Sequence, residues 1–255
     1  MTRVIPLPDA FLSRPLAHRG LHDRAAGRIE NAPASFAAAV EAGYGIELDL
    51  QLSADGVAMV FHDAQLDRLT RETGPVAART AEELTRIALT DSSDTIPTLA
   101  QVLAQVAGQV PLLIELKDQD GAFGPDTGAL EQATAAALRG YDGPVAVMSF
   151  NPHSVTAMAR LSPDVPRGLT TCAFDGDEAE RLSPARLSQL RRIASYEGSA
   201  SSFVSHDSRD LTGRAVSRLR DEGQPILCWT IRSEAEARAV AGLADNITFE
   251  GFRPA

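Results

Sequence analysis

Residues 144–161 read PVAVMSFNPHSVTAMARL, and this stretch contains the unit from which we expect the whole fold to be built. Its first part, Pro144–Ser149, is a short apolar run of the kind that forms a buried strand. Its second part begins at Pro152, which is well tolerated in the first turn of a helix, and continues with apolar side chains at helical spacing. The stretch therefore predicts one strand followed by one helix.

The same alternation runs through most of the chain. Strands are predicted near residues 15–18, 44–52, 111–116, 144–149, 168–172, 202–205, 225–231 and 245–249, with helices between them. Such elements pair in parallel through right-handed crossovers. Eight strand–helix steps in 255 residues predict an α/β fold, a (β/α)8 TIM barrel, in a single domain covering residues 1–255. An open doubly wound sheet is the alternative, although no glycine-rich dinucleotide fingerprint follows the first strand.

Two segments depart from this alternation. Asp55-Gly56 is a tight-turn signal after the second strand, so that strand is expected to form a hairpin with a further short strand. Residues 62–95 are rich in Thr and Arg, include Gly74-Pro75, and contain one predicted helix at 80–87. We interpret this segment as a small inserted subdomain. Asn31 is predicted to cap the first long helix.

The composition disfavours several classes of partner. The net charge is −10, so a nucleic-acid-binding face, which requires clustered basic residues, is not expected. No apolar run approaches the roughly 20 residues of a membrane span, and Met1–Pro15 lacks the apolar segment of a signal peptide. Cys172 and Cys228 have no metal-binding spacing, so two reduced thiols in a cytoplasmic protein are expected. The sequence carries no signal for the oligomeric state.

Acidic residues fall where a barrel is expected to have its functional site. Catalytic groups of a TIM barrel come from the C-terminal ends of strands, and Glu47, Asp49 and Glu115 are predicted to lie at such ends. Residues i and i+2 of a strand share a face, so Glu115 points with Lys117. Three buried carboxylates need a cation, and this oxygen-rich set suits one divalent cation, Mg2+ or Ca2+. The alternative is a metal-free network in which Lys117 or Arg19 neutralises the acids.

His18 and His62 are the candidates for acid–base chemistry. An imidazole titrates near neutral pH, and each of these two follows a predicted strand beside an ionic residue, Arg19 or Asp63. Two histidines on opposite sides of a phosphodiester can exchange the roles of base and acid. Arg19 can hold a phosphoryl oxygen through charge-assisted hydrogen bonds. A structural role is favoured for the remaining three histidines, His22, His153 and His206.

Lysine occurs only once in the chain, at Lys117, among 24 basic residues. This lysine lies on the predicted face of Glu115. A compact ammonium differs from a guanidinium in reach and geometry, so its retention at a strand end predicts a role in the site. The alternative is that Lys117 occurs at this position by chance and has no role in the site.

Taken together, these residues follow a known pattern. In order and spacing the chain contains His18-Arg19-Gly20, Glu30-Asn31, Glu47-x-Asp49, Asp55-Gly56, Phe61-His62-Asp63, Arg68, Ile96-Pro97-Thr98-Leu99 and Glu115-x-Lys117. The set resembles the glycerophosphodiester phosphodiesterase family, strongly from His18 to Lys117 and weakly through Ser149–Pro152 and Trp229-Thr230. The first motif alone is a weak signal, whereas the composite is specific.

This resemblance implies a fold, an activity and a set of roles. The fold is a TIM barrel with a small inserted subdomain, which matches the position of residues 62–95. The activity is hydrolysis of a small-molecule glycerophosphodiester to glycerol 3-phosphate and an alcohol, dependent on a divalent metal. The implied roles are the acid–base pair His18 and His62, the metal ligands Glu47, Asp49 and Glu115, the phosphate contacts Arg19 and Lys117, and the pocket wall Trp229. For this single tryptophan, plain packing is the alternative.

The chain departs from the family pattern at three places, and Arg232 and Glu250 at two of them are expected near the mouth of the barrel. The departures are Ala32 for the usual Thr, Ile231-Arg232 for Val-Asn, and Thr248-Phe249-Glu250-Gly251 for Thr-Asp-x-Pro. These changes leave the reaction core intact but bear on the alcohol that the site accepts. A lysophospholipase D-type activity on the same core is one alternative function, although the few apolar clusters predicted near the strand ends argue against it. A non-catalytic phosphodiester-binding barrel is another, but it would require a lost acid, base or ligand, and none is missing.

Overall fold

The computed structural model describes residues 3–254, with the side chains of all but residues 177 and 178. Within this range nine strands form one sheet. In chain order they are β1 Leu16–Ala17, β2 Gly45–Leu52, β3 Ala58–Val60, β4 Leu112–Leu116, β5 Val145–Ser149, β6 Arg167–Thr171, β7 Phe203–Asp207, β8 Ile226–Ile231 and β9 Asn246–Phe249. Each predicted strand is present, with bounds that differ from the prediction by no more than two residues.

Helices fill the connections between these strands. Those in the described range are α1 Ala10–Ser13, α2 Pro33–Ala42, α3 Ala81–Leu84, α4 Leu99–Val106, α5 Ala129–Leu138, α6 Pro152–Leu161, α7 Asp177–Glu180, α8 Pro184–Arg191, α9 Arg214–Asp221 and α10 Glu234–Val240. The helix predicted at 80–87 is only the single turn α3, and the short helices α1 and α7 were not predicted. Among the helices of residues 3–254, none is long and apolar enough to cross a membrane.

The sheet closes on itself. β1 pairs in parallel with both β2 and β9, so that eight parallel strands form a ring. The remaining strand, β3, pairs antiparallel with the end of β2 as the predicted hairpin. The chain is therefore a TIM barrel, as predicted, and the alternative of an open doubly wound sheet is wrong.

The interior of the barrel is apolar at one end and polar at the other. The apolar end consists of Leu16, Leu113, Ala146, Met148, Phe203 and Leu227, which pack with Phe11 of α1. Two residues beyond Leu16, Leu113 and Leu227 the side chains are His18, Glu115 and Trp229. The intervening residues pack into the layer between barrel and helices. The polar side chains therefore gather at the end of the barrel where the strands finish.

Residues 62–95 have an apolar cluster of their own. Leu66, Leu69, Val76, Leu84 and Leu89 pack with Ile29, Ala32, Met59, Phe61 and Ile96. This cluster is separate from the larger one beneath the barrel helices. It joins the segment to β3 and to the chain that follows β1, so the segment is fixed beside the polar end of the barrel.

Gly20 lies in a turn that accommodates glycine alone without strain. Its φ is +81°, and an added Cβ would lie 2.9 Å from Ser35 Cβ and in contact with Ser35 Oγ. Gly56 has a similar φ of +79° but nothing within 4 Å of a Cβ. We expect Gly20→Ala to lower the free energy of unfolding by about 3 kcal/mol, from strain plus overpacking. Gly56→Ala should cost about 1 kcal/mol, from strain alone. Urea unfolding measures both changes. An equal decrease in the free energy of unfolding in Gly20→Ala and Gly56→Ala would contradict the overpacking at Gly20.

Candidate active site

A cavity of about 320 Å³ opens at the polar end of the barrel. All eight residues predicted to form the site line it: His18, Arg19, Glu47, Asp49, His62, Glu115, Lys117 and Trp229. The rest of its wall consists of Met148, Phe150, Ser205, Thr230, Arg232 and Thr248. The fold thus brings side chains from both ends of the sequence into one space.

Three buried carboxylates lie together in this cavity. Glu47, Asp49 and Glu115 are 2%, 1% and 5% exposed, and an oxygen of each lies within 4.8 Å of the other two. The sheet sets their positions, because β2 and β4 are neighbours and Asp49 pairs with Glu115. The expectation that Glu47 and Asp49 end their strand is wrong in detail, since β2 continues to Leu52 to form the hairpin with β3.

Lys117 and Arg19 neutralise part of this negative charge. Lys117 Nζ lies 2.8 Å from Asp49 Oδ1 and 2.5 Å from Glu115 Oε1. Arg19 Nε lies 3.3 Å from Asp49 Oδ2. Burial alone would raise the pKa of Asp49, but Lys117, His62 and Arg19 outweigh it and hold that pKa below its ordinary value. Asp49 is therefore ionised in the folded protein.

Glu47 is the acid that these cations leave least compensated. Burial and the charges of Asp49 and Glu115 raise the pKa of Glu47 well above its ordinary value. Three carboxylates face the two cations Lys117 and Arg19, so a deficit of one positive charge remains when all three are ionised. A proton on Glu47 or a divalent cation would balance it. Buried carboxylate oxygens suit a hard cation, so the cluster could hold a metal ion.

Asn31 does not cap the first long helix, contrary to the prediction. α2 begins at Pro33 with Ala32 as its N-cap, whereas Asn31 has a left-handed backbone with φ of +56°. Its Nδ2 donates to Asp49 Oδ2 at 2.8 Å, and its Oδ1 accepts from the Asp49 backbone N–H at 3.2 Å. Asparagine tolerates this backbone region, and the paired bonds satisfy a buried carboxylate. Asn31 thus orients Asp49, a contact that its spacing in the sequence did not reveal.

His62 enters the cavity from the hairpin rather than from a barrel strand. Gln51 Nε2 donates to the His62 carbonyl at 2.9 Å, which ties the residue to β2. On the ring, Nδ1 lies 2.7 Å from Asp63 Oδ1, and Arg68 Nε donates to Asp63 Oδ2 at 2.6 Å. Because Nδ1 has a carboxylate partner, Nε2 is the nitrogen left for chemistry.

His18 also has a carboxylate partner, Glu250, which sequence reasoning did not assign. His18 Nδ1 lies 2.6 Å from Glu250 Oε2, and Nε2 lies 4.0 Å from Glu47 Oε2. Burial lowers the pKa of His18, although the hydrogen bond with Glu250 opposes the shift. The available signal for this contact was the departure of the segment 248–251, which contains Glu250, from the family pattern at the end of the last strand.

Glu30 lies between two arginines: Arg19, which lines the cavity, and Arg68, which contacts Asp63 beside His62. Arg19 Nη1 donates to Glu30 Oε1 at 2.6 Å, and Arg68 Nη1 donates to Glu30 Oε2 at 2.9 Å. Burial alone would raise the pKa of Glu30, but the two arginines outweigh it and lower the pKa from 4.5 to about 2. Glu30 was part of the recognised motif, and the structure shows what it contacts.

This shift predicts a pH-dependent contribution of Glu30 to stability. A carboxyl group with a lowered pKa in the folded state stabilises the fold above its unfolded pKa and loses that effect as the pH falls through the folded value. The contribution should therefore be about 3 kcal/mol at neutral pH and should disappear between pH 4.5 and about 2. We expect Glu30→Gln to lower the free energy of unfolding, measured with urea, most at neutral pH and progressively less in acid.

Glu82 provides a matched control, because it also pairs with an arginine but its side chain is 74% exposed. Glu82→Gln should change the free energy of unfolding by less than about 0.5 kcal/mol at any of these pH values. A Glu30→Gln effect that stayed constant from neutral pH into acid would contradict the ionic origin of the stabilisation.

Trp229 lines the cavity and borders a second space beside it. Its Nε1 donates to the Ser205 carbonyl at 3.0 Å, and its ring packs edge-on against Phe150 at a centroid distance of 5.7 Å. Phe150 also contacts Phe123 and Phe174. The second cavity, of about 580 Å³, is lined by Phe123, Phe150, Cys172, Asp175, Gly176, Asp207, Arg209 and Trp229. Phe150 and Trp229 line both cavities, so this second cavity, the aromatic groove, adjoins the site.

The other histidines differ in their surroundings. His206 is buried, and its Nδ1 is hydrogen-bonded with Thr171 Oγ1 at 2.7 Å, which fits a structural residue. His153 lies in the first turn of α6 and is not among the residues that line the cavity. His22 is closer to the site than expected, since its Nε2 lies 3.6 Å from Glu250 Oε2.

Sequence comparison relates the chain to a defined family. The profile of the Glycerophosphoryl diester phosphodiesterase family matches residues 18–246. A glycerophosphodiester phosphodiesterase of Bacillus altitudinis is 30% identical over 253 residues, covering 94% of this chain and 95% of the relative. Another, from Bacillus subtilis, is 26% identical over 249 residues, covering 90% and 79%.

Solved structures share the fold. A phosphodiesterase of Oleispira antarctica, in complex with the product sn-glycerol-3-phosphate, gives a TM-score of 0.75 at 25% identity over 94% of each chain. A glycerophosphodiester phosphodiesterase of Thermotoga maritima gives 0.68 at 22% identity over 92% of each chain, a likeness of fold. The profile match from residue 18 to residue 246 confirms the resemblance predicted from the motifs, and the chain belongs to the glycerophosphoryl diester phosphodiesterase family.

Proposed function

We propose that this chain hydrolyses a small-molecule glycerophosphodiester to glycerol 3-phosphate and an alcohol. The observation that carries the proposal is one cavity lined by two imidazoles, three carboxylates, a lysine and an arginine. Hydrolysis of a phosphodiester needs such groups for proton transfer and for charge stabilisation. Membership of the family supports a phosphodiesterase, and the related O. antarctica protein was solved with sn-glycerol-3-phosphate as its product.

In this proposal His18 and His62 form the acid–base pair. Each ring has its Nδ1 on a carboxylate, at 2.6 Å for Glu250 and 2.7 Å for Asp63. A carboxylate partner holds the tautomer, so Nε2 of each ring is available to exchange a proton with the substrate. One imidazole removes the proton from the attacking oxygen, and the other protonates the leaving alkoxide. Both water and a neighbouring hydroxyl of the substrate fit as the attacking group.

Arg19 and Lys117 are proposed to hold the phosphate, and Trp229 to wall the glycerol or alcohol pocket. An acidic chain of net charge −10 repels an anionic substrate at long range, so local cations are needed. Lys117 uses two ammonium protons on Asp49 and Glu115 and has a third to donate. Arg19 offers a planar set of donors suited to phosphoryl oxygens.

We further propose that Glu47, Asp49 and Glu115 hold one divalent cation, Mg2+ or Ca2+. The residual negative charge of the cluster and its converging buried oxygens support this proposal. When bound, such a cation supplies Lewis-acid polarisation of a nonbridging phosphoryl oxygen. Lys117 compensates the remaining carboxylate charge, and Asn31 keeps Asp49 oriented. The metal-free alternative, a network of Lys117 and Arg19 alone, balances the cluster only while Glu47 keeps its proton.

The aromatic groove favours one second candidate, a lysophospholipase D-type activity on the same core. The cavity beside Phe123, Phe150 and Trp229 adds about 580 Å³ next to the proposed reaction site. Aromatic surface of this kind can cover an acyl chain, because burial of apolar area is favourable. A lysophospholipid would then place its phosphodiester against the same histidines.

A product-resolved assay separates these two functions. The protein, supplied with Mg2+ or Ca2+, is incubated with glycerophosphocholine and separately with lysophosphatidylcholine, and the products are followed by phosphorus NMR. We expect glycerol 3-phosphate and choline from glycerophosphocholine, with a higher kcat/KM than for lysophosphatidylcholine. A preference for the second substrate would establish the lysophospholipase D-type activity instead. A cyclic phosphate product would identify the substrate hydroxyl as the nucleophile.

A third outcome of the assay addresses the non-catalytic alternative. If the protein binds both diesters but converts neither with either cation, the proposed hydrolysis is wrong and a phosphodiester-binding barrel is favoured. If glycerophosphocholine is converted, a panel of glycerophosphodiesters with other head-group alcohols measures the specificity that Arg232 and Glu250 are expected to influence.

A further inference from the structure

Two residues from segments that depart from the family pattern contact each other at the mouth of the barrel. Arg232, which follows β8, has its Nε 2.8 Å from Oε1 of Glu250, which follows β9. The other oxygen of Glu250, Oε2, lies 2.6 Å from His18 Nδ1. The Glu250 backbone N–H donates to the Ile231 carbonyl at 3.0 Å, which fixes the two strand ends relative to each other. One carboxylate therefore bridges a guanidinium and a proposed catalytic imidazole.

The second imidazole, that of His62, has the same two kinds of partner, a carboxylate and an arginine. His62 Nδ1 contacts Asp63, and Asp63 accepts from Arg68 Nε at 2.6 Å. The motif Phe61-His62-Asp63 with Arg68 belongs to the recognised family pattern, whereas Arg232 replaces its usual Asn and Glu250 stands at a position that the pattern leaves open. Each histidine of the cavity thus has a carboxylate on Nδ1 and an arginine on that carboxylate.

We propose that Glu250, held by Arg232, is a positioning residue for His18: it accepts the Nδ1 proton and keeps Nε2 turned to the substrate. The inference rests on the proposed function, because it assigns a partner to the acid–base histidine of that reaction. A carboxylate on one ring nitrogen fixes both the tautomer and the orientation of an imidazole. Glu250 itself takes no proton and touches no reacting atom.

The exposure of the three groups supports this role over a purely structural one. The side chains of His18 and Glu250 are 14% and 22% exposed, whereas that of Arg232 is 60% exposed. An ion pair with so exposed a partner contributes little to the stability of the fold. The short contact between Glu250 and His18 joins the two more buried side chains of the three. His22 Nε2 lies 3.6 Å from the same Glu250 oxygen, a longer approach than that of His18.

The first test measures the tautomer of His18 and does not depend on activity. Histidine labelled with an NMR-active nitrogen isotope is observed at about pH 8.5, some two units above the ordinary pKa of an imidazole. The His18 signals are assigned by their loss in His18→Asn. We expect His18 in the Nδ1–H form in the native protein, and a shift toward the Nε2–H form in Glu250→Ala. An Nε2–H tautomer in the native protein, or a tautomer unchanged by Glu250→Ala, would overturn the proposal.

The second test separates turnover from binding. Glu250→Ala is expected to lower kcat about 10²-fold while KM changes less than about threefold. Arg232→Gln should lower kcat less, about tenfold, because Glu250 remains but is less firmly held. A rise in KM with kcat unchanged in Glu250→Ala would assign the residue to substrate binding and contradict the positioning role.

The exposed pair Glu234 and Arg238 of α10 supplies controls of matched charge. Their side chains are 54% and 73% exposed and lie 3.9 Å apart. Glu234→Gln and Arg238→Gln should leave kcat and the His18 tautomer unchanged. A fall in kcat as large as that of Glu250→Ala or Arg232→Gln would contradict a specific role for Glu250. If the native protein hydrolyses no diester, the proposed function fails, but the tautomer measurement still decides whether Glu250 positions His18.

Discussion

Alanine in place of His18 or His62 is expected to reduce kcat for glycerophosphodiester hydrolysis at least about 10²-fold, the usual contribution of one acid or base. Both rings line the cavity, and both have Nδ1 on a carboxylate, so each leaves one nitrogen for proton transfer. Loss of either ring leaves the attacking oxygen without its base or the leaving alkoxide without its acid. The side chains lie at the mouth, so circular dichroism and the melting temperature should show that the fold is retained.

His153 provides the control for this experiment. It lies in α6, is not among the residues lining the cavity, and loses the same imidazole in His153→Ala. That variant should keep a kcat within about twofold of the native value, because this half-buried side chain does not line the cavity. Near-native turnover in His18→Ala or His62→Ala would remove that histidine from the acid–base pair.

Glu47→Gln is expected to have two effects of opposite sign. It should lower kcat/KM at least about 10²-fold, because a Lewis-acid cation contributes several kcal/mol of charge stabilisation and Gln is a poorer ligand for it. It should also stabilise the metal-free protein against unfolding, because Glu47 is buried beside Asp49 and Glu115 and ionises unfavourably there. Thermal unfolding with chelator measures the second effect without any assay of activity.

Added cation should stabilise the native protein more than Glu47→Gln. At a concentration of about 100 Kd, a bound cation stabilises the native protein by about 2.7 kcal/mol, and Glu47→Gln should lose most of this increment. Glu41→Gln, at an exposed position of α2, removes the same charge outside the cavity and should behave as the native protein does. An equal melting-temperature increment with cation in the native protein and in Glu47→Gln would contradict the metal site.

The sequence predicted the barrel because its signals are local. Apolar runs such as Pro144–Ser149 and helical stripes such as that of α4 depend only on near neighbours, and their alternation has few solutions in space. The acidic cluster was also predictable, because the strand period places Glu47 with Asp49, and parallel neighbours bring Glu115 beside them. Strand periodicity and barrel closure together therefore identify most of the candidate site.

The contacts that orient these groups were not predictable in the same way. Asn31 is a residue type that often caps helices, and it lies just before α2. The buried carboxylate of Asp49, 18 residues away, is nevertheless a stronger partner than the helix end. Glu250 meets His18 across 232 residues, through loops whose paths no periodicity describes. Contacts of this kind depend on where barrel closure places each loop, so they become visible only in the folded chain.

The most direct test of the central claim, cation-dependent hydrolysis in this cavity, is the rate of glycerol 3-phosphate release from glycerophosphocholine after the protein has been treated with chelator. We expect release to stop in chelator and to resume when Mg2+ or Ca2+ is restored in excess. In Glu47→Gln we expect added cation to leave release at the chelated level. Undiminished release in chelator would contradict the claim, and so would the absence of release with either cation.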